Sequence, residues 1–379
     1  MSSLAMPRIA FIDLKAQYGY LKADIDARIQ AVLDHGQYIM GPEVGDLERQ
    51  LAAFAGVRHA IAVANGTDAL LAALMAWGVG PGDAVFLPGL TFTATAEAPL
   101  LLGASPVFVD VDPERFTLDP ADLERRIADV RRGGRLRPKV IVPVDLYGLP
   151  ADYARIAAVA DGIPILADAA QSFGATANGR RVGTLGAVTA TSFFPAKPLG
   201  CYGDGGALFT DDDDLAAILR SLRVHGAGAH KYDVVRVGMN SRLDTIQAAV
   251  LLAKLPAFPA ELEQRERVAR RYDAGLDGVV HIPRRPAGHT STWAQYTIRH
   301  EARDLLASAL GRVGVPTAIH YPTPMHLQPA YIAHGGGPGS LPVSEALCGQ
   351  ILSLPMHPYM DDATVDHIVT LVRDAVAGL

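Results

Sequence analysis

A lysine stands at position 197 in surroundings that suit it poorly. Ser192-Phe193-Phe194-Pro195-Ala196 precede it and Pro198-Leu199-Gly200-Cys201-Tyr202-Gly203-Asp204-Gly205-Gly206 follow. Lysine is ordinarily a solvated point charge, and apolar neighbours lower its pKa by disfavouring the ammonium form. A neutral amine is the species that condenses with an aldehyde. The same stretch also reads as a glycine-rich surface loop whose lysine lays its stem on apolar surface and its head in water.

Three other pieces of the chain bear on that choice. Asn65-Gly66-Thr67-Asp68 follows an apolar run and opens a helical pattern, so its backbone N–H groups, with Gly66 allowing close approach and Thr67 adding a hydroxyl, suit a phosphate. These residues equally make a turn and an N-cap. Asp168 ends a very apolar run and precedes Ala169-Ala170-Gln171-Ser172; a buried carboxylate needs a partner, and a protonated ring nitrogen or the start of the next helix would serve. Phe92, in Leu90-Thr91-Phe92-Thr93, offers either a flat face to an aromatic ligand or an ordinary core contact. A phosphate cradle, a stacking ring, an acid for a ring nitrogen and a lysine for an aldehyde together describe pyridoxal 5′-phosphate.

The elements that must position these residues follow from the pattern around them. Leu21, Ile25, Ile29, Val32 and Leu33 mark an amphipathic helix, and Val44, Leu47, Leu51 and Phe54 a second. From position 60 short apolar runs alternate with helices: 60–64, 84–88, 106–110, 140–144, 163–168, 189–194 and 206–210. Continuous apolar runs are strands buried on both faces, and their alternation with helices predicts an α/β fold with a mostly parallel seven-stranded sheet. Ligands in such sheets lie beyond the carboxyl ends of the strands, where the chosen residues fall. Asp211-Asp212-Asp213-Asp214 reads as a solvated turn capping the next helix. A long helix is expected over 242–255, ending near Pro256 and Pro259, which places a large domain at 1–255 and a smaller α+β domain at 256–379. In the latter the pattern gives a charged helix over 261–272, a strand over 292–298, a helix over 302–313, a strand over 317–321 and a final helix after Thr364.

Composition bounds the rest. The chain has 379 residues, an apolar fraction of 49% and a net charge of −6, which gives no support to a nucleic-acid or anionic-membrane partner. Cys201 and Cys348 are the two cysteines, so neither a disulfide framework nor a cysteine metal site is expected, and no histidine spacing suggests a metal. No charged, then long apolar, N-terminal segment or membrane-length apolar run is present, and the expected location is the cytoplasm.

The motifs Asn65-Gly66-Thr67-Asp68-Ala69-Leu70, Asp168-Ala169-Ala170-Gln171-Ser172, Ser192-Phe193-Phe194 with Lys197 and Gly203-Asp204-Gly205-Gly206, and Gly238-Met239-Asn240-Ser241-Arg242 resemble, in order and spacing, the DegT/DnrJ/StrS-type sugar aminotransferases. These are fold-type I pyridoxal-phosphate enzymes acting on keto-sugars attached to nucleotides, and the resemblance spans roughly Phe11 to Pro358. It implies that Lys197 bonds to the cofactor aldehyde and shuttles a proton, that Asp168 pairs with the pyridine nitrogen, Gln171 with the ring hydroxyl, and that Phe92 stacks on the ring. Gly66, Thr67 and Ser192 would hold the phosphate, and Asn240 would reach the phosphate of a neighbouring subunit, implying a homodimer with shared sites. Glu97, where many members carry asparagine, and Pro198 depart from the pattern. Relatives with histidine in place of the lysine are dehydratases, so Lys197 implies transamination.

The Lys197 segment is most similar to the subgroup that aminates C3 of a UDP-linked 3-keto-N-acetylglucosaminuronate, with glutamate the family's usual amino donor. Arg242 would then pair with the sugar carboxylate from across the dimer, or simply open a helix, and His320 and Tyr321 would line the sugar pocket, or close a strand. A 4-keto-6-deoxyhexose aminotransferase and a non-catalytic regulatory relative are the alternatives. His225 and His230 lie in a Gly/Ala/His-rich loop to which no chemistry is assigned.

Overall fold

The computed structural model describes residues 9–230 and 232–379. Two helices lead in, α1 (Leu14–His35) and α2 (Pro42–Ala55); Asp13 caps α1 by accepting from Ala16 N–H at 2.9 Å. The alternating portion then runs β1 (His59–Val63), α3 (Gly66–Ala76), β2 (Asp83–Pro88), α4 (Ala94–Leu101), β3 (Ser105–Val109), α5 (Pro120–Gly133), β4 (Arg137–Ile141), α6 (Tyr153–Ala160) and β5 (Leu166–Asp168). A small hairpin follows, β6 (Thr176–Ala177) with β7 (Arg180–Arg181), then β8 (Val188–Ser192), β9 (Gly206–Thr210), α7 (Asp213–Leu222) and α8 (Thr245–Lys254).

One ladder orders β1-β9-β8-β5 and another β3-β2-β4. Parallel bridges from Ile141 to Ile165 and from Val144 to Asp168 join them into a single sheet of seven strands. Strand β9 is antiparallel to β1 and β8, while the β2 and β5 pairings are parallel. Successive side chains on a strand point to opposite faces. Ile61, Val63, Val85, Leu87, Val188 and Leu208 accordingly pack with α3, α4 and α7. Ala60, Ala62, Ala207 and Phe209 face α2 and α8, and Ala84, Phe86, Ile141 and Ala167 face α5 and α6. The carboxyl ends of β1, β2, β5 and β8 therefore meet at one edge of a sheet covered on both sides.

The remaining chain contains α9 (Phe258–Leu276), β10 (Tyr296–Arg299), α10 (Arg303–Arg312), α11 (Pro342–Gln350), β11 (Ile351–Leu354) and α12 (Asp362–Ala377). Strands β10 and β11 pair antiparallel, and the C-terminal half of α9, α10 and α12 enclose Tyr272, Tyr296, Ile298, Leu306, Leu352 and Ile368 against them. The N-terminus of α11 docks on Asp110, whose carboxylate accepts from Val343 N–H at 2.9 Å and Ser344 N–H at 2.8 Å.

Several expected elements shift. The helix expected from Arg242 starts at Thr245, because Asp244 has extended backbone and accepts from Gln247 N–H at 2.9 Å. Arg242 thus precedes the helix rather than opening it. Pro259 does not break the chain but sits in the first turn of α9, where its missing N–H has no intrahelical partner to lose. The strand expected over 292–298 shortens to Tyr296–Arg299, and 317–321 forms only a bridge from Ala318 to Ser353. The partner of β10 is β11, in a stretch from α11 to β11 to which the sequence pattern assigned no element. Asp212, in the acidic run, caps α7 by accepting from Leu215 N–H at 2.9 Å, as expected.

Candidate active site

Asp168 is the last residue of β5 and is 5% exposed. Its Oδ2 accepts from Thr95 Oγ1 at 2.9 Å and its Oδ1 from Ala170 N–H at 3.2 Å. Burial raises its pKa, with these bonds and the charge of Lys197 working the other way. Lys197 is half-buried in the connection from β8 to β9, and burial depresses its pKa against the pull of Asp168. The two groups are thus electrostatic neighbours in a poorly hydrated site, and the lysine is biased toward the neutral amine.

Around them lie four more of the singled-out residues. His320 is pushed down by burial and by the charge of Lys197. Tyr321 is held above its ordinary value by burial and by the charge of Asp168, with Gln171 opposing. The ring of Phe92 lies 6.0 Å from that of Tyr321 and is 53% exposed, a large apolar surface left open beside a buried acid. Gln171 Oε1 accepts from Tyr147 N–H at 2.5 Å, which orients the amide.

At the amino end of α3, Asn65 accepts from Asp68 N–H at 2.8 Å. A Cβ placed on Gly66 would fall 2.8 Å from Ser192 Cβ. Gly66 and the end of β8 therefore touch, as a cradle built from both would require, and the turn-and-cap reading of this motif holds alongside it. Asn240 and Arg242 lie on a separate segment: Arg242 Nη2 donates to Asn240 Oδ1 at 2.6 Å. Ser241 between them accepts from Ala64 N–H at 3.2 Å, tethering the segment beside the start of α3. The Nε of Arg242 is buried without a partner.

Residue types alone did not single out three supporting groups. Thr95 lies one helical turn beyond Phe92 and bonds Asp168. Tyr147 bonds Gln171 through its backbone and the carbonyl of His320 through its hydroxyl. Asp145, fully buried, accepts from Ser172 Oγ at 2.6 Å, Tyr153 Oη at 2.8 Å and Ala151 N–H at 2.9 Å. Asp145 follows the apolar run 140–144, a strand-end position like that of Asp168, and that was its available signal.

The DegT/DnrJ/EryC1/StrS aminotransferase family matches residues 20–373. The chain belongs to this family. It is 51% identical over 360 residues, 94% of this chain and 97% of the relative, to UDP-2-acetamido-2-deoxy-3-oxo-D-glucuronate aminotransferase of Pseudomonas aeruginosa. A crystal structure of a DegT DnrJ EryC1 StrS aminotransferase from Brucella abortus superimposes with a TM-score of 0.95 at 53% identity, covering 97% of this chain and 99% of that one. NtdA from Bacillus subtilis, solved with bound cofactor PMP, superimposes with a TM-score of 0.89 at 27% identity, covering 100% and 87%. The fold is that of the fold-type I pyridoxal-phosphate enzymes, the activity that of a sugar aminotransferase, and the cofactor pyridoxal 5′-phosphate. Family membership thereby favours the enzyme over the regulatory relative. The residues present fit that cofactor: a buried acid, a depressed lysine, an open aromatic face and a glycine whose missing Cβ leaves room. No described helix is long and apolar enough to cross a membrane.

Proposed function

We propose that this aminotransferase moves an amino group from glutamate to C3 of a UDP-linked 2-acetamido-2-deoxy-3-oxo-glucuronate, in the making of a surface polysaccharide. The observation that carries the site reading is the Lys197–Asp168 pair, two opposed groups that burial drives toward their neutral forms beside Gln171, Phe92 and Tyr321. When bound, the cofactor supplies an electron sink for the carbon that loses a proton. Asp168, which a protonated ring nitrogen beside it would hold as the carboxylate, keeps that proton on the ring and the sink deep. Lys197 Nζ takes the proton from one carbon and returns it to another, a role that needs the neutral amine. Gln171 meets the ring hydroxyl, Phe92 covers the ring and excludes water, and Gly66, Thr67 and Ser192 hold the phosphate. Asn240 acts on the phosphate of a second subunit, so the working unit is a homodimer.

For the sugar, support comes from the 51% identity to the Pseudomonas enzyme and from Arg242. Its guanidinium, with a buried Nε lacking a partner, suits the C6 carboxylate of a uronate offered by the other subunit. His320 and Tyr321 line the sugar side. Incubating the protein with glutamate and a panel of UDP- and dTDP-linked 3-keto and 4-keto sugars, with products read by mass spectrometry, tests this. The uronate is expected to be aminated fastest; turnover confined to 4-keto-6-deoxyhexoses would overturn the substrate assignment and favour the 4-keto-6-deoxyhexose enzyme.

A further inference from the structure

Lys197 sits in a loop that closes on itself. Its N–H donates to Phe194 O at 2.8 Å and Cys201 N–H donates to Phe193 O at 2.8 Å. A Cβ on Gly200 would lie 2.7 Å from Phe194 O and 2.6 Å from Pro195 O. Gly200 is therefore the point at which the loop meets its own beginning, and only glycine fits there. Its carbonyl is held from outside the loop: Lys254 Nζ, at the end of α8, donates to Gly200 O at 2.6 Å and lies 4.1 Å from the centroid of the Tyr202 ring. One helical face contributes a second clamp, because Gln247 Oε1 accepts from Tyr202 N–H at 2.8 Å.

Lys254 is 1% exposed. Burial pulls its pKa down to about 8, against the opposing charge of Glu261 on α9. Glu261 is engaged elsewhere, accepting from Gln17 Nε2 at 3.0 and 3.1 Å and from the Tyr359 hydroxyl. A buried ammonium without a close carboxylate is unfavourable where an apolar side chain of similar volume would pack. Stability alone gives no reason for a lysine at this place.

We propose that Lys254 is a positioning residue for Lys197, holding Gly200 so that the loop presents the Lys197 amine in one place. The proposal rests on the reading that Lys197 bonds the cofactor. Its test uses full-length Lys254→Met and wild-type protein, each with and without pyridoxal 5′-phosphate. Amide hydrogen exchange across residues 198–206 reports the loop, equilibrium dialysis the cofactor affinity, thermal melting of the cofactor-free chain its stability, and steady-state kinetics the split between kcat and KM. Loss of a bond to a charged group predicts exchange and cofactor dissociation constant each raised about tenfold. A lowered kcat with little change in the sugar KM, and a melting point no lower than wild type, are also expected. Loop exchange and cofactor affinity within twofold of wild type would overturn the proposal, as would a fall in melting point accompanied by uniformly faster exchange. If Lys254→Met does not fold, Lys254→Gln is read by the same measurements. The cofactor-free exchange result does not involve Lys197 chemistry. Cofactor still fixed by borohydride in Lys197→Ala would therefore sink the site reading while leaving the Lys254 result intact.

Discussion

Single side chains decide the chemistry of this site, and their environments predict what removing each would do. On the proposed role of Lys197, Lys197→Ala should lower kcat by roughly 10²-fold or more through lost general acid–base catalysis and should abolish the borohydride-fixable bond to the cofactor. Thr95→Val deletes a donor to Asp168 Oδ2. A bond to a charged group is worth about 1.5–3 kcal/mol, so kcat should fall by about tenfold or more while the fold is retained. Asp145 gives a pH signature. Burial pushes its carboxyl up to about 7, against an unfolded value of about 3.9, so the folded chain binds its proton more tightly than the unfolded one. Its contribution to stability is complete below the unfolded pKa and is lost as pH rises through the folded one. Between pH 4 and 7 wild type should therefore lose stability that Asp145→Asn does not, as read from urea unfolding across that range. Equal slopes for both proteins would remove Asp145 as the cause.

At the scale of elements, the site depends on where helices begin and strands end. Asp244→Ala, removing the cap of α8, should cost about 1 kcal/mol in urea unfolding. Gly66→Ala should weaken cofactor binding, because the added methyl would press on Ser192. The sequence made two strand ends legible: Asp168 and the Asn65-Gly66 turn lie where apolar runs stop, and a run buried on both faces has a visible end, whereas the run read over 189–194 overshot the end of β8 at Ser192. Strand order was not legible, since β9 enters between β1 and β8 through contacts that no local pattern encodes. Arg242 was misplaced for a related reason. The apolar period runs back to it, but the cap lies at Asp244, and a cap outweighs periodicity in setting the first turn. Thr95, Tyr147 and Asp145 stayed hidden because nothing about a threonine, a tyrosine or a strand-end aspartate says which distant side chain it will meet.

For the whole molecule, the proposed homodimer turns on an exposed apolar segment. Val234, Val235 and Val237 are 65%, 52% and 85% exposed on the segment leading to Asn240 and Arg242, apolar side chains that a second copy, in the proposed dimer, would cover. Val237→Asp should shift sedimentation toward the monomer and lower activity with it; a monomeric wild type would remove the shared-site reading. The placement of β9 also has a consequence for biosynthesis. Its residues leave the ribosome 147 positions after those of β1, so the nascent chain must wait for them before its edge strand finds a neighbour. The connection that delivers them carries Lys197, so a polypeptide truncated before this point lacks both the strand that pairs with the β1 edge and the lysine proposed to hold the vitamin.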